Sequence, residues 1–469
     1  MKTLKMRVRR HRTALIMGLF RACVYGGLLL LFFGLMAIHN SPLLRPSRTL
    51  ATTLLTFMSM AVVMHLVYGG YAVGQKKSKP VISSMALAAL VTDAVTYLQL
   101  QIMNVNEHNN AHLRLFGPDF PWLLIGMAAQ VLWIILWVRV GNTVYFRLNP
   151  PRKCLLILGD PGEKEALMHK IGRYRLQWRV TDTAMWNDPK LVKRIRRCDV
   201  VFLGEIPSET KMALLKTCYD LQRDVNCKAQ LQDIMLSNAK QTIVDDAPFL
   251  TMEYRKMTLG QRLAKRTMDV VISGLVLTAF SPLMLALALL IRLEDGGPAL
   301  FKQKRMTVNG RIFTIYKFRT MRQDASAQRH QVSAQEGDSR ITRIGAALRR
   351  SRLDELPQMW NILIGDMTLV GPRPEMLENV DKYKRELPAF VYREKMKAGL
   401  TGYAQIEGRY NTSPEDKLML DLMYIESFSV WLDVKLLLRT LTVFFKSDST
   451  EGFTPVERPT KDQAPNLDV

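Results

Sequence analysis

Four apolar stretches in the first 140 residues constrain this chain more than anything else in it. They lie at 14–38, 50–68, 81–103 and 120–138, and each is long enough to cross a bilayer as a helix. Backbone amides find no water in hydrocarbon, so such stretches become helices that pack on one another. The first is too long, and is followed by too many others, to be a cleaved leader. Direction follows from the loops. Residues 1–13 carry six Lys/Arg and no acid, and 69–80 carry three lysines; 39–49 has two arginines, and 105–119 one arginine against two acids. An excess of Lys/Arg marks the cytoplasmic side, so the N-terminus, the 69–80 loop and everything after Arg139 are expected there. Asp93 falls inside the third stretch. An intramembrane carboxylate is a functional candidate by default, but a hydrogen-bonded partner of Thr92, Thr96 or Tyr97 explains it equally well, and it is assigned no role. Trp133 and Trp137 read as packing or interfacial residues.

From Pro151 the pattern changes to short strands alternating with helical segments. CLLILGD (154–160) reads as a strand entering a turn, PGEKEALMHKI as the helix after it, and CDVVFLGEI (198–206) as a second strand. KMALLKTCYDLQRD follows as a helix and CKAQLQDIM as a third strand. The expectation is a small open parallel α/β sheet, Rossmann-like. Only Gly159 and Gly162 are present, not G-x-G-x-x-G, so nucleotide binding is not the leading expectation for this domain. A regulatory or oligomerising role, with a homo-oligomer in the latter case, is favoured. Five cysteines (23, 154, 198, 218, 227) without C-x-x-C spacing fit reduced thiols rather than disulfides or a zinc site.

A fifth apolar run, Val270–Ile291, holds 22 uncharged residues broken centrally by Ser281-Pro282. Both flanks are basic: Arg262, Lys265 and Arg266 before, Arg292, Lys302, Lys304 and Arg305 after. A true span would put one cluster outside. A mid-helix proline removes a hydrogen bond and clashes with the preceding turn, and the Ser281 hydroxyl can help satisfy the freed groups. The run is therefore expected to form a re-entrant helix–break–helix that returns to the cytoplasmic face, an ordinary kinked span being the alternative. FKQKRMTVNGRIFTIYKFRTM then reads as a β-hairpin turning at Asn309-Gly310, which would set Lys317 and Arg319 on a rigid element near the membrane, for substrate or for lipid headgroups.

The chemistry concentrates at 341–376, where Asp354 and Glu355 follow a basic helix-like run with Arg349, Arg350 and Arg352. Pro357 suits the start of a helix, and Arg373, held between Pro372 and Pro374, suits a pre-aimed guanidinium fork for phosphate. Two carboxylates amid arginines fit a divalent metal such as Mg²⁺ together with a diphosphate. No cysteine follows Cys227, and the only histidine beyond residue 169 is His330, in a polar stretch. A nucleophile here is then most simply a carboxylate, a group able to form an acyl phosphate. Surface carboxylates balancing Arg349 and Arg352 would be the plainer account of the pair. The net charge of +23 calls for an anionic partner. Nucleic acid is disfavoured because the basic residues flank apolar segments and no recognition motif stands out, leaving phosphorylated substrates and membrane lipids.

From about Lys265 to Phe445 the chain resembles the bacterial sugar transferases, the monotopic polyprenyl-phosphate phosphoglycosyl transferases. The resemblance rests on KRTMDVV (265–271), the Ser281-Pro282 run, GGPALFKQKR (296–305), FTIYKFRTM (313–321), LDELPQMWNILIGDMTLVGPRPE (353–375) and GLTGYAQIEGR (399–409). It implies transfer of a sugar 1-phosphate from a nucleotide diphosphate-sugar, UDP in the family's usual case, to polyprenyl (undecaprenyl) phosphate at the inner face of the bacterial cell membrane, as a first membrane step of surface-polysaccharide synthesis. It further implies that Asp354 forms a covalent phospho-sugar, that Glu355 binds metal or manages protons, and that Lys317 belongs to the site. Two residues depart from the usual pattern. Ala398 replaces a common proline, and Arg352 a small polar residue that commonly precedes Leu-Asp-Glu; the latter bears on phosphate contacts or sugar preference.

The expected architecture is a four-helix membrane bundle (1–150), an α/β Rossmann-like domain (151–245), a linker (246–262), an α/β monotopic catalytic domain (263–446) with a re-entrant membrane helix (268–292), and a flexible tail (447–469). AFVYREKMK after Pro388 is expected to be a basic amphipathic helix at the interface, or else a core helix. Two rival functions stay open: a membrane regulator sensing a nucleotide through the middle domain, and a glycosyltransferase moving the sugar without its phosphate.

Overall fold

A computed structural model describes residues 2–107, 116–252, 257–322, 340–408 and 412–442; His330 and the tail at 447–469 lie outside them. The chain divides into two compact units, Met1–Ala229 and Gln230–Val469. Among the described residues, five helices are long and apolar enough to cross a membrane, as expected of a membrane protein.

Four of these open the first unit: α1 (Lys2–Met36), α2 (Arg48–Tyr68), α3 (Ser78–Glu107) and α4 (Phe120–Leu148). They bury Val24, Phe32, Met36, Phe57, Leu100, Ile134 and Val138 between them, with Trp133 and Trp137 packed against that core. Asp93 is buried, and a residue not anticipated from the sequence reaches it. Thr92 and Thr96 bond back to the Ala88 and Thr92 carbonyls at 2.8 and 2.7 Å, as hydroxyls in helices commonly do. Gln130 of α4 instead donates to Asp93 Oδ1 at 3.3 Å and to Leu28 O at 3.0 Å, tying three helices at one depth.

The α/β part comprises β1 (Arg152–Leu158), α5 (Glu163–Gly172), β2 (Trp178–Met185), α6 (Leu191–Ile195), β3 (Val200–Leu203), α7 (Ser208–Asp220) and β4 (Asp224–Cys227). The sheet is parallel in the order β2-β1-β3-β4. Its core is the apolar β1 and β3 with Ile195, Leu214 and Cys218. Two expectations need correction. CKAQLQDIM is not a strand beyond Cys227; its second half is helical. WRVTDTAM, not anticipated, forms β2, whose half-solvated edge position admits the polar residues that hid it.

In the second unit, α8 (Leu231–Leu236) packs Ile234 against Phe390, Leu418 and Leu422, and β5 (Lys240–Val244) pairs with β6 (Ala247–Thr251). Then comes α9 (Leu259–Asp295), a 37-residue helix with Pro282 inside it. Helical structure is continuous through Ser281-Pro282. Pro282 cannot donate to the Thr278 carbonyl one turn back, and Ser281 Oγ takes its place there at 2.8 Å. Next, β7 (Leu300–Met306) and β8 (Ile312–Phe318) form the expected antiparallel hairpin, with Asn309 and Gly310 at φ 56° and 72° as its turn requires.

The remaining elements are α10 (Arg343–Ser351), α11 (Gln358–Ile364), β9 (Thr368–Val370), α12 (Leu377–Glu386), β10 (Gly399–Thr401), α13 (Tyr403–Glu407), α14 (Pro414–Glu426) and α15 (Val430–Thr440). Pro388–Lys395 is a 3₁₀ helix, and two of its residues fit the core alternative. Its Phe390 is buried against α14, and its Arg393 is buried on Asp421 at 2.7 Å, so neither side chain is left to face lipid.

Candidate active site

The dyad sits at a bend between two helices. Thr342 caps α10, and Glu294 at the end of α9 accepts from Arg343 N at 3.1 Å, filling a free donor of its first turn. The helix ends at Arg352 in the left-handed region, φ 57°, an uncommon conformation for a side-chain-bearing residue. A 3₁₀ turn, Leu353–Glu355, leads through Pro357 into α11. Leu353 and Leu356 pack with Leu348 and Phe318 against Met284, Leu287, Ala288 and Ile291 of α9. The apolar neighbours of the two carboxylates thus fix the turn on the membrane helix, which leaves the carboxylates pointing elsewhere.

Glu355 is mostly buried and receives Lys317 Nζ at 3.0 Å and Arg373 at 3.5 Å. Both bonds fall on Oε1. Burial alone would raise its pKa, but Lys317, Arg373 and Arg352 together outweigh burial and hold it down at about 2. Asp354 differs. Its carboxylate makes no hydrogen bond among the described residues. Burial and then the Glu355 charge push its pKa up, against the opposing pull of Lys317, Arg349 and Arg373. The pair is therefore a firmly ionised acceptor beside a less stabilised, more basic carboxylate, and environments set apart in this way commonly separate chemical roles.

The opposite wall is the Gly371-Pro372-Arg373-Pro374 loop leaving β9. β9 pairs with β10 in parallel, Thr368 opposite Gly399 and Val370 opposite Thr401. The glycines permit this: a Cβ on Gly399 would lie 2.0 Å from Gly371 N. The loop backbone is held by Gly399 N on Pro372 O at 2.8 Å, Arg393 on Arg373 O at 2.8 Å and Arg305 on Pro374 O at 3.3 Å. Burial, then the adjacent Arg373, lowers the Arg305 pKa to about 10. Asp366 pairs with Arg311 at 2.9 Å; Glu375 pairs with Lys417 at 3.5 Å, and its charge also acts on Arg373.

Lys317, Arg349, Arg352 and Arg373 thus converge electrostatically on the dyad. Arg349 also donates to Thr320 Oγ1 at 2.9 Å. Arg319 is buried and donates to Ile291 O at 3.3 Å, on the last turns of α9. Ser281 and Pro282 lie mid-helix in α9 and are exposed.

Sequence reasoning took Lys265 and Arg266 as a basic flank and quoted Asp269 within a motif, and gave no role to Asn361, Arg393, Asp421, Tyr424 or Asp433. Asn361 bridges Thr314 O and Tyr316 N at 2.8 and 3.0 Å, tying α11 to β8 and its Lys317. A buried charge at 265 and again at 269, at the mouth of an apolar helix, was the one visible signal.

No group of three or more His, Cys, Asp or Glu that could hold a metal ion exists among the described residues, so an all-protein cage is absent. Two oxygens on Asp354 and Oε2 of Glu355 fit an ion that keeps its waters and shares substrate phosphates. In the α/β sheet, the end of β1 is a poor phosphate site. Gly159 lies against the Glu205 carbonyl, and the Glu163 carboxylate accepts from Glu205 N at 3.1 Å, which places an acid where an anion would need donors.

Residues 260–447 match the family described as bacterial sugar transferase. A UDP-N-acetylgalactosamine-undecaprenyl-phosphate N-acetylgalactosaminephosphotransferase of Aeromonas hydrophila is 46% identical over 180 residues, 38% of this chain and 42% of its own length; the match thus spans less than half of that relative. A UDP-glucose:undecaprenyl-phosphate glucose-1-phosphate transferase of Caulobacter vibrioides is 42% identical over 194 residues, covering 40% of this chain and 72% of the relative. One from Xanthomonas campestris pv. campestris is 38% identical over 347 residues, 70% of this chain and 67% of the relative. On this coverage and identity, together with the geometry of the dyad, the chain belongs to the bacterial sugar transferase family.

Proposed function

We propose that the protein transfers a sugar 1-phosphate from a UDP-sugar to undecaprenyl phosphate at the cytoplasmic face of the cell membrane. The observation that carries this reading is the contrast within the dyad: an Asp354 carboxylate with raised basicity and free lone pairs, beside a Glu355 neutralised by Lys317 and Arg373. The printed functions of the Caulobacter and Xanthomonas relatives support the donor and acceptor classes.

In the first half-reaction an Asp354 oxygen bonds to the β-phosphorus, the bond to the bridging oxygen breaks, and UMP leaves with that electron pair. In the second, a phosphate oxygen of the lipid bonds to the same phosphorus and the Asp354 carboxylate departs, giving the lipid diphosphate-sugar. Charge builds on the phosphoryl oxygens and the leaving phosphate, where Arg373, Arg349 and Lys317 neutralise it. Glu355 keeps Lys317 and Arg373 aimed at the nucleophile. Mg²⁺, held by Asp354 and Glu355 Oε2 with substrate phosphates, would add further neutralisation.

The re-entrant reading of α9 draws support from its two ends. Near the start, Lys265, Arg266 and Asp269 bond to β9 and α11; near the finish, Ile291 and Glu294 bond to Arg319 and the start of α10. One compact unit gripping both ends of an apolar helix is hard to reconcile with a bilayer between them.

The test incubates purified protein with a panel of UDP-sugars, Mg²⁺ and undecaprenyl phosphate and identifies the nucleotide released. UMP is expected. UDP would replace this reading with sugar transfer without phosphate, and the absence of any nucleotide release across the panel would favour a sensing role.

A further inference from the structure

Lys265, Arg266 and Asp269 occupy about one turn near the start of α9, and each is committed to a different backbone segment around the site. Lys265 Nζ lies 2.8 Å from Val370 O, 3.2 Å from the Tyr424 hydroxyl and 2.5 Å from Asp433 Oδ2. The Tyr424 hydroxyl is also within 2.7 Å of Asp433 Oδ1 and 3.0 Å of Val370 O. Asp269 accepts from Leu369 N at 2.9 Å and from the Thr368 hydroxyl at 2.8 Å. Arg266 donates to Ile362 O and Leu363 O, at the end of α11, at 2.8 and 2.7 Å.

Lys265, Asp269 and Asp433 are buried. Anchoring alone could be achieved more cheaply, since apolar residues of similar volume usually stabilise as well as a buried ion pair does. What the polar set supplies is register. Asp269 and Lys265 fix successive residues of β9 up to Val370, which enters the loop bearing Arg373. Arg266 fixes the far end of the helix that follows Asp354 and Glu355. Gly371 packed on Gly399 leaves that loop no slack, so a shift of Val370 must move Arg373.

We propose that Lys265, Arg266 and Asp269 are positioning residues that couple the seating of the membrane helix to the placement of Arg373 and the dyad. This rests on the phosphoryl-transfer reading above. Lys265→Met in the full-length protein is expected to lower kcat by about 100-fold, the cost of an ångström-scale misplacement, with KM for the UDP-sugar changed by less than about threefold. Because Lys265 acts through Arg373, the double variant Lys265→Met/Arg373→Ala should be no more than about threefold slower than Arg373→Ala alone. Independently of turnover, amide hydrogen exchange across 369–375 should quicken at least about tenfold in Lys265→Met, while 312–318 stays unchanged. If Lys265→Met does not fold, Lys265→Met/Asp433→Asn, which leaves no lone buried charge, and Thr368→Val serve in its place. Multiplicative rate losses in the double variant, or unaltered exchange at 369–375, would overturn the proposal. Should wild type release no UMP, the functional reading fails, and the exchange experiment still decides the coupling.

Discussion

Burial and the neighbouring Glu355 charge raise the Asp354 pKa, while three cations hold the Glu355 pKa near 2. The two neighbours should then respond oppositely to neutralisation. A carboxylate whose folded pKa is raised destabilises the fold once ionised, above that pKa, so Asp354→Asn is expected to raise the melting temperature by about 1–3 °C near neutral pH. It should also cost about 10³-fold or more in UMP release, as removing a nucleophile does. Glu355 is the reverse case. Its stabilisation is fully present above the unfolded value of about 4.5 and is lost as pH falls toward about 2, so Glu355→Gln should lower the melting temperature at pH 7. The rate carries a second sign. Asp354 attacks as the anion, so kcat/KM should rise with pH through a value above the ordinary aspartate range. Glu355→Gln, which removes a like charge, should shift that limb to lower pH. Thermal melts between pH 2 and 8 and UMP release between pH 4 and 8 check all of this; a limb unmoved in Glu355→Gln would remove Asp354 as the titrating group.

The elements differ in how plainly the sequence announced them. Asn309-Gly310 specified the hairpin because few residues tolerate two successive positive φ values. The dyad, with its basic run before and Pro357 after, was similarly local. Asp433 and Tyr424 were not legible, since their partner Lys265 lies 168 and 159 positions away and nothing local distinguishes a charge that will be buried from one that will not. At Pro282 the compensation was legible next door: the Ser281 hydroxyl bonds to the Thr278 carbonyl that the proline leaves free, and the helix is continuous there. The direction of α9 is a separate matter from its continuity. With Cys23 and Cys227 replaced, a cysteine at Lys302 should resist a membrane-impermeant maleimide in intact cells and react after permeabilisation, because both basic flanks belong to one folded unit, which the proposed function sets on the cytoplasmic side. Labelling in intact cells would make α9 a true span and carry the dyad to the wrong face for a soluble nucleotide donor.

At the scale of the molecule, the division at Ala229/Gln230 is chemically lopsided. Asp354, Glu355, Lys317, Arg349 and Arg373, with the Lys265–Asp433 and Arg393–Asp421 pairs that hold their framework, all fall in the second unit. The first unit contributes four apolar helices and a sheet whose β1 end presents Glu163 rather than free donors. If chemistry resides where those side chains are, residues 230–469 produced without the first unit should insert into membranes through α9 alone. They should release UMP from the UDP-sugar that wild type prefers at a rate within about tenfold of the full chain, because phosphoryl transfer depends on positioning and charge that this unit supplies by itself. Turnover per mole of membrane-bound protein, with hydrogen exchange confirming that 369–375 is as protected as in the full chain, is the measurement. A truncated chain that folds with native protection yet turns over a thousandfold more slowly would place an essential catalytic group, or the lipid acceptor's path, in the first 229 residues.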